Sequence, residues 1–122
     1  MKVLIVDDEQ LVRRSLSRAF KLKSFEIDEA VDGKEGLEKW KSKKYDLVVL
    51  DVLMPGLSGP EVVSERGPQE DSKVILISAY SGEHSISNEN QQPGIDLFIP
   101  KPFDDIFQVV DQMIKVLDVE QQ

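Results

Sequence analysis

Five residues carry side chains that could do chemistry together: Asp7, Asp8, Asp51, Ser78 and Lys101. Each stands where a run of apolar residues stops. Val3-Leu4-Ile5-Val6 runs into Asp7 and Asp8, Leu47-Val48-Val49-Leu50 into Asp51, Val74-Ile75-Leu76-Ile77 into Ser78, and Leu97-Phe98-Ile99 into Pro100-Lys101. Brought to one place, carboxylates about 4 Å apart repel by about 4 kcal/mol per pair at an effective dielectric of 20. Such a group needs a cation, and oxygen-only ligands select a hard one such as Mg²⁺. A divalent ion beside an ammonium suits phosphoryl transfer, because both neutralise the equatorial oxygens and leave a carboxylate free to attack in line. An aspartate that attacks phosphorus forms an acyl phosphate. Ser78 could donate a hydrogen bond to a phosphoryl oxygen. Singly, each residue has a plainer use: Asp51 as a turn cap, Asp7 and Asp8 as helix caps, Ser78 in a turn, Lys101 in solvent.

Their common position at the ends of apolar runs points to the elements that hold them. Uninterrupted runs rich in β-branched residues mark strands buried on both faces, as a parallel sheet with helices on either side requires. In open α/β sheets, ligands bind just outside the carboxyl ends of the strands. The stretches between the runs supply the helices. Leu11, Val12, Leu16, Ala19 and Phe20 recur on one face of a first helix that Asp8 is placed to cap. Phe25 and Ile27 alternate with Glu26 and Asp28, the pattern of a more exposed strand near the sheet edge. Asp32-Gly33 turns into a second helix carrying Leu37 and Trp40, and Ser58-Gly59-Pro60 starts a third that Gly67-Pro68 must end. The last helix sets Phe103, Ile106, Phe107, Val110, Met113, Ile114 and Leu117 on one side. Strand and helix alternating in this way predict a parallel sheet with right-handed crossovers. The segment between Ser81 and Pro93 breaks the rhythm, since Ile86 is its one strong apolar residue; a short, mobile or partly non-helical stretch is expected there.

Composition narrows the function classes. A chain of 122 residues suffices for one domain with a real core. With no cysteine there is no disulfide framework and no thiolate ligand or nucleophile, which fits a reducing, cytoplasmic setting. No apolar run approaches the roughly 20 residues of a membrane span, and Asp7-Asp8 follow the first run too soon for a signal peptide. The net charge of -8 disfavours direct binding to nucleic acid and favours a cation or a cationic partner.

Taken in order, Leu4-Ile5-Val6-Asp7-Asp8-Glu9, Asp51-Val52-Leu53-Met54-Pro55 with Gly59, Ser78-Ala79 and Lys101-Pro102-Phe103 resemble the receiver domain of two-component response regulators along essentially the whole chain. The resemblance implies a flavodoxin-like, doubly wound five-stranded parallel sheet of order 2-1-3-4-5 in a single domain, residues 1–122, with 118–122 as the start of a linker or tail. It implies that Asp51 accepts phosphate from a sensor histidine kinase or phosphotransfer protein. Asp8 and Asp51 would bind Mg²⁺ through their carboxylates, Leu53 through its backbone carbonyl and Asp7 through water. Lys101 would contact the phosphoryl group, and the Lys101-Pro102 bond would be cis. Ser78 and Phe98 would form the switch, the hydroxyl moving to the phosphoryl oxygen as the ring turns inward. The reader of that switch would be a downstream effector or an output domain outside this chain.

Several departures shape these expectations. Phe98 lacks the hydroxyl of the commoner tyrosine. Residues 81–92 are polar without Lys or Arg, and Asp104, Asp105 and Asp111 make the last helix acidic, which argues against the charge-paired dimer of winged-helix regulators. Pro100 restricts the backbone just before Lys101. Leu53 stands where a polar side chain often tunes loss of the phosphoryl group, and its bulk would slow attacking water. His84, the sole histidine, is read as a solvated loop residue. Two other functions compete: a receiver that binds partners without phosphorylation, which the intact acids argue against, and a Mg²⁺-dependent phosphatase with an Asp nucleophile. The phosphatase would need a second acid two residues after Asp51, where Leu53 stands. A phosphoacceptor rather than a turnover enzyme is therefore expected.

Overall fold

The continuous apolar runs form the middle of the sheet. In the computed structural model, which describes residues 1–67, 71–79 and 94–119, β1 (Lys2–Val6), β3 (Leu47–Asp51) and β4 (Lys73–Ser78) are buried along almost their whole length. Helices on both sides account for this, because a strand covered on two faces meets no water. β2 (Glu26–Ala30) and β5 (Leu97–Pro100) are the edges, and the order is β2-β1-β3-β4-β5 with all neighbours parallel. This is the flavodoxin-like order expected from the sequence.

Alternation along each strand sorts the core into two layers. Leu47 and Val49 join Val3, Ile5, Ile75 and Ile77 on one face, while Val48 and Leu50 join Leu4, Val6, Val74 and Leu76 on the other. The first face is covered by α1 (Gln10–Leu22) and α4 (Ile106–Val119), through Leu16, Phe20, Val110 and Met113. The second is covered by α2 (Gly33–Ser42) and α3 (Gly59–Arg66), through Leu37, Trp40, Val62 and Val63. No described helix is long and apolar enough to cross a membrane.

The helix ends obey local chemistry. Asp32 accepts the N–H of Glu35 at the start of α2. Ser58 and Glu61 form a reciprocal capping box on α3, with Pro60 in its first turn and Gly67 (φ 82°) at its end. Several expectations need correction. Asp8 does not cap α1; Glu9 is the N-cap, and its side chain makes no cap hydrogen bond. Leu11 is 77% exposed, so the buried stripe of α1 begins after it. In the last segment, Phe103 precedes α4 and Phe107 is half exposed, because it sits roughly 100° around the helix from Ile106. Asp104 and Asp105 also lie before α4, leaving Asp111 as the helical acid of the three. Asp105 accepts the N–H groups of Phe107 and Gln108 and so caps that helix. The segment between Ser81 and Pro93, with His84, lies outside the described residues.

Candidate functional site

Parallel pairing brings the strand ends to one rim. Val6 pairs with Leu50, so Asp7 and Asp51 follow at the same level, and Asp51 itself pairs with Ile77. Ser78 pairs with Pro100, which sets Lys101 one residue beyond. Backbone bonds carry the ladder past the strands: Val52 N–H donates to Ile77 O at 2.8 Å and Lys101 N–H to Ser78 O at 2.7 Å. Behind the rim, Gly59 N–H donates to Val52 O at 2.9 Å. A Cβ on Gly59 would lie 2.6 Å from the Asp51 carbonyl oxygen, so only glycine lets α3 start this close to the strand end.

Lys101 is the centre of the site. Its ammonium lies 3.1 Å from Asp7 Oδ2, 3.0 Å from Glu9 Oε1 and 3.4 Å from Asp51 Oδ2. An ammonium has three N–H donors, and three carboxylates surround this one. Asp7, Asp8 and Asp51 each offer an oxygen, and these atoms lie within 4.8 Å of one another. Asp7 and Asp51 are buried while Asp8 stands exposed at the mouth. Asp7 is further held by the Glu9 N–H, which donates to Oδ1 at 2.9 Å. Arg13 donates to the Asp7 main-chain oxygen at 2.8 Å and to Glu29 Oε1 at 3.1 Å, anchoring the turn to β2.

The electrostatics follow from too many acids in too little water. Burial pushes the Asp51 carboxyl up to about 7, with the Asp7 charge adding to the rise and Lys101 opposing it. Burial likewise raises Asp7 against the pull of the Glu9 N–H and Lys101. Burial works against charge on Lys101 too, but the hydrogen bond to Glu9, the Asp51 charge and Asp7 together outweigh it and raise its pKa. An all-oxygen donor set with surplus negative charge, two members buried and one at the mouth, fits a small hard divalent cation such as Mg²⁺.

The remaining predicted residues are placed as follows. Ser78 is buried at the end of β4. The Lys101-Pro102 peptide bond is cis. Leu53 lies in the turn after Asp51 and is 63% exposed. Phe98 is half buried and packs against the core layer of Leu4, Val48, Val74 and Leu76 on the α2–α3 side of the sheet. Sequence reasoning gave no role to Glu9 or Arg13. Three consecutive acids at 7–9 were the available signal for the first, and a basic residue one turn into α1 for the second.

Fold and rim together define an α/β domain with a cluster of acids around a lysine at the carboxyl ends of a five-stranded parallel sheet. The sequence profile of the response regulator receiver domain matches residues 3–113, and the chain belongs to that family, the receiver domains of two-component signalling proteins. The transcriptional regulatory protein ResD of Bacillus subtilis is 36% identical over 102 residues, 84% of this chain and 42% of that protein. The response regulator ArlR of Staphylococcus saprophyticus is 35% identical over 103 residues, 84% of this chain and 46% of that protein. The chain thus spans about half the length of the curated relatives it matches. Among solved structures, the response regulator TrrA of Thermotoga maritima, in complex with Mg²⁺ and BeF, superposes with a TM-score of 0.80 at 38% identity, covering 95% of this chain and 97% of that one.

Proposed function

We propose that Asp51 accepts a phosphoryl group from the phosphohistidine of a sensor histidine kinase or phosphotransfer protein, with Mg²⁺, and so switches the surface read by a downstream partner. The observation that carries this reading is the Lys101 ammonium 3.4 Å from Asp51, inside a cluster of acids whose oxygens lie within 4.8 Å. An Asp51 oxygen forms the new bond to phosphorus as the bond to the donor's ring nitrogen breaks, and the electron pair returns to that nitrogen. The product is an acyl phosphate. Lys101 neutralises the phosphoryl oxygens, and Ser78 donates to one of them.

Asp8 and Asp51 would hold the ion through their carboxylates and Leu53 through its carbonyl. Asp7 would act through water, which agrees with its two oxygens being occupied already by Glu9 N–H and Lys101. The ion, when bound, supplies Lewis-acid charge neutralisation at the phosphoryl group. TrrA, 38% identical, binds Mg²⁺ together with BeF, a phosphoryl mimic, which supports the same use here. Ser78 and Phe98 form the switch: the hydroxyl follows the phosphoryl oxygen and the half-buried ring of Phe98 moves inward. The whole chain acts as a cytoplasmic receiver, and its output lies with an effector protein or a domain outside these residues rather than with nucleic acid.

Incubation with acetyl phosphate and Mg²⁺, followed by intact mass, tests the proposal. Wild type should gain the mass of one phosphoryl group, and Asp51→Asn or added EDTA should abolish the gain. An unmodified wild type, or equal modification of Asp51→Asn, overturns it.

A further inference from the structure

Asp8 is the acid of the rim cluster whose carboxylate makes no hydrogen bond or ion pair among the described residues. Asp7 is gripped by the Glu9 N–H and Lys101, and Asp51 by Lys101. Exposed and unpartnered, the Asp8 side chain stands where its backbone puts it. That backbone is a short bridge. On one side the Asp7 N–H still donates to Ala30 O at 3.2 Å, just past the end of β1; on the other, Glu9 already caps α1. Between them the Asp7–Asp8 peptide is held through its oxygen, which accepts from Arg13 Nη1 at 2.8 Å. A peptide group is planar, so fixing that oxygen fixes the plane that carries the Asp8 nitrogen and Cα.

Arg13 is held in its turn. Its Nε donates to Glu29 Oε1 at 3.1 Å, and the other oxygen of Glu29 accepts the Ser17 hydroxyl at 2.8 Å. The Arg13 side chain is 13% exposed. Two bonds diverging from one rigid planar fork tie β2, α1 and the turn together, which the single nitrogen of a lysine cannot reproduce. By charge alone, a guanidinium beside the acids opposes a cation. Any help it gives a metal site must therefore come through geometry, and the two effects have opposite signs.

We propose that Arg13 is a positioning residue for the divalent ion: acting through the Asp7–Asp8 peptide, it presents the Asp8 carboxylate at the mouth where the ion takes it. This rests on the reading of Asp8 as a Mg²⁺ ligand. Residues that orient the ligands of a metal typically carry roughly tenfold to hundredfold in affinity. Arg13 acts through an intervening peptide, so removing it should weaken Mg²⁺ binding by about tenfold, the lower end of that range.

The probe is Mg²⁺ alone, titrated calorimetrically into the metal-free full chain. Arg13→Ala removes both fork and charge and keeps a strong helix former in α1. Arg13→Lys keeps the charge and loses the fork. Both should bind Mg²⁺ more weakly, with unchanged far-ultraviolet circular dichroism. Ser72→Ala controls for lost stability: it removes a buried hydrogen bond to Tyr45 O, 2.6 Å long, at the opposite end of the sheet, and should keep the wild-type Kd. Unchanged or tighter binding by Arg13→Ala would show charge alone at work and overturn the proposal. Wild-type affinity in Arg13→Lys, or equal weakening in Ser72→Ala, would overturn it too. If Arg13→Ala does not fold, Arg13→Lys set against Ser72→Ala decides. A wild type that binds no Mg²⁺, or Asp8→Asn binding it as wild type does, overturns the assignment of Asp8 as a ligand, and this inference with it.

Discussion

Asp51→Asn should stabilise the metal-free protein, and increasingly so as the pH rises. Asp51 is 4% exposed, and a carboxylate oxygen of Asp7 lies within 4.8 Å of one of its own. Like charges at that distance repel by about 3.5 kcal/mol at an effective dielectric of 20. A rise of the carboxyl from 3.8 to about 7, driven by burial and then by Asp7, corresponds to about 4 kcal/mol. The shift, which includes burial and the opposing pull of Lys101 as well as Asp7, sets a ceiling of about 4 kcal/mol, and screening by salt at the open mouth lowers the expected gain to about 2–3 kcal/mol. The sign follows from proton binding. In the unfolded chain Asp51 loses its proton near the ordinary carboxylate value, whereas the folded protein keeps it up to about pH 7. Unfolding therefore releases a proton in that window, and the wild type loses stability as the pH rises through it. Asparagine has no proton to lose, so the gap opens between about pH 4 and about pH 7 and then stays level. Lys101 keeps Asp7 and Glu9, so the substitution strands no charge. Urea denaturation of both proteins in EDTA, at about pH 4.5 and about pH 8, measures the gap. Mg²⁺ should narrow it, since a ligand at a hundredfold over its Kd adds about 2.7 kcal/mol to the form that binds it. A gap independent of pH, or an asparagine variant less stable than wild type at about pH 8, would refute the electrostatic account.

Two substitutions away from the acids test the scaffold. Gly59→Ala would press a methyl against the Asp51 carbonyl oxygen; it should destabilise the fold by about 1–3 kcal/mol and slow phosphorylation by acetyl phosphate, with normal rates arguing that the Asp51–Val52 turn is not set by α3. Tyr45→Phe removes the hydroxyl that donates to Asp28 Oδ2 at 2.7 Å. It should cost about 1–2 kcal/mol near neutral pH. Because that hydrogen bond holds the folded Asp28 carboxyl below its ordinary value, its contribution is present above the carboxylate range and fades as the pH falls through the folded pKa. Equal stability of Tyr45→Phe and wild type at neutral pH by urea denaturation would contradict this.

The parallel core was legible because burial on two faces leaves an unmistakable mark: Val3–Val6, Leu47–Leu50 and Val74–Ile77 admit no polar residue. Once those runs are parallel, the level of Asp7 against Asp51 follows from pairing alone. Side chains that act across the fold were not legible in the same way. Three acids in a row do not reveal that the first and third reach Lys101, because that depends on where the chain turns into α1; it turns at Glu9, one residue later than expected. Leu11 and Phe107 fit a helical spacing written on paper, yet each sits just outside the stripe that meets the sheet. Helical periodicity tolerates such neighbours, whereas packing does not. Asp105 as a cap was hidden because the apolar Phe103 drew the helix start too early.

The bridge from Lys101 to Asp7 joins residues 94 positions apart. On a ribosome, the acids of this rim emerge long before their lysine. Until β5 has joined β4, those acids stand together without the Lys101 ammonium that offsets their repulsion. Under the proposed function, competence to accept a phosphoryl group would therefore arrive only with β5, which brings in Lys101.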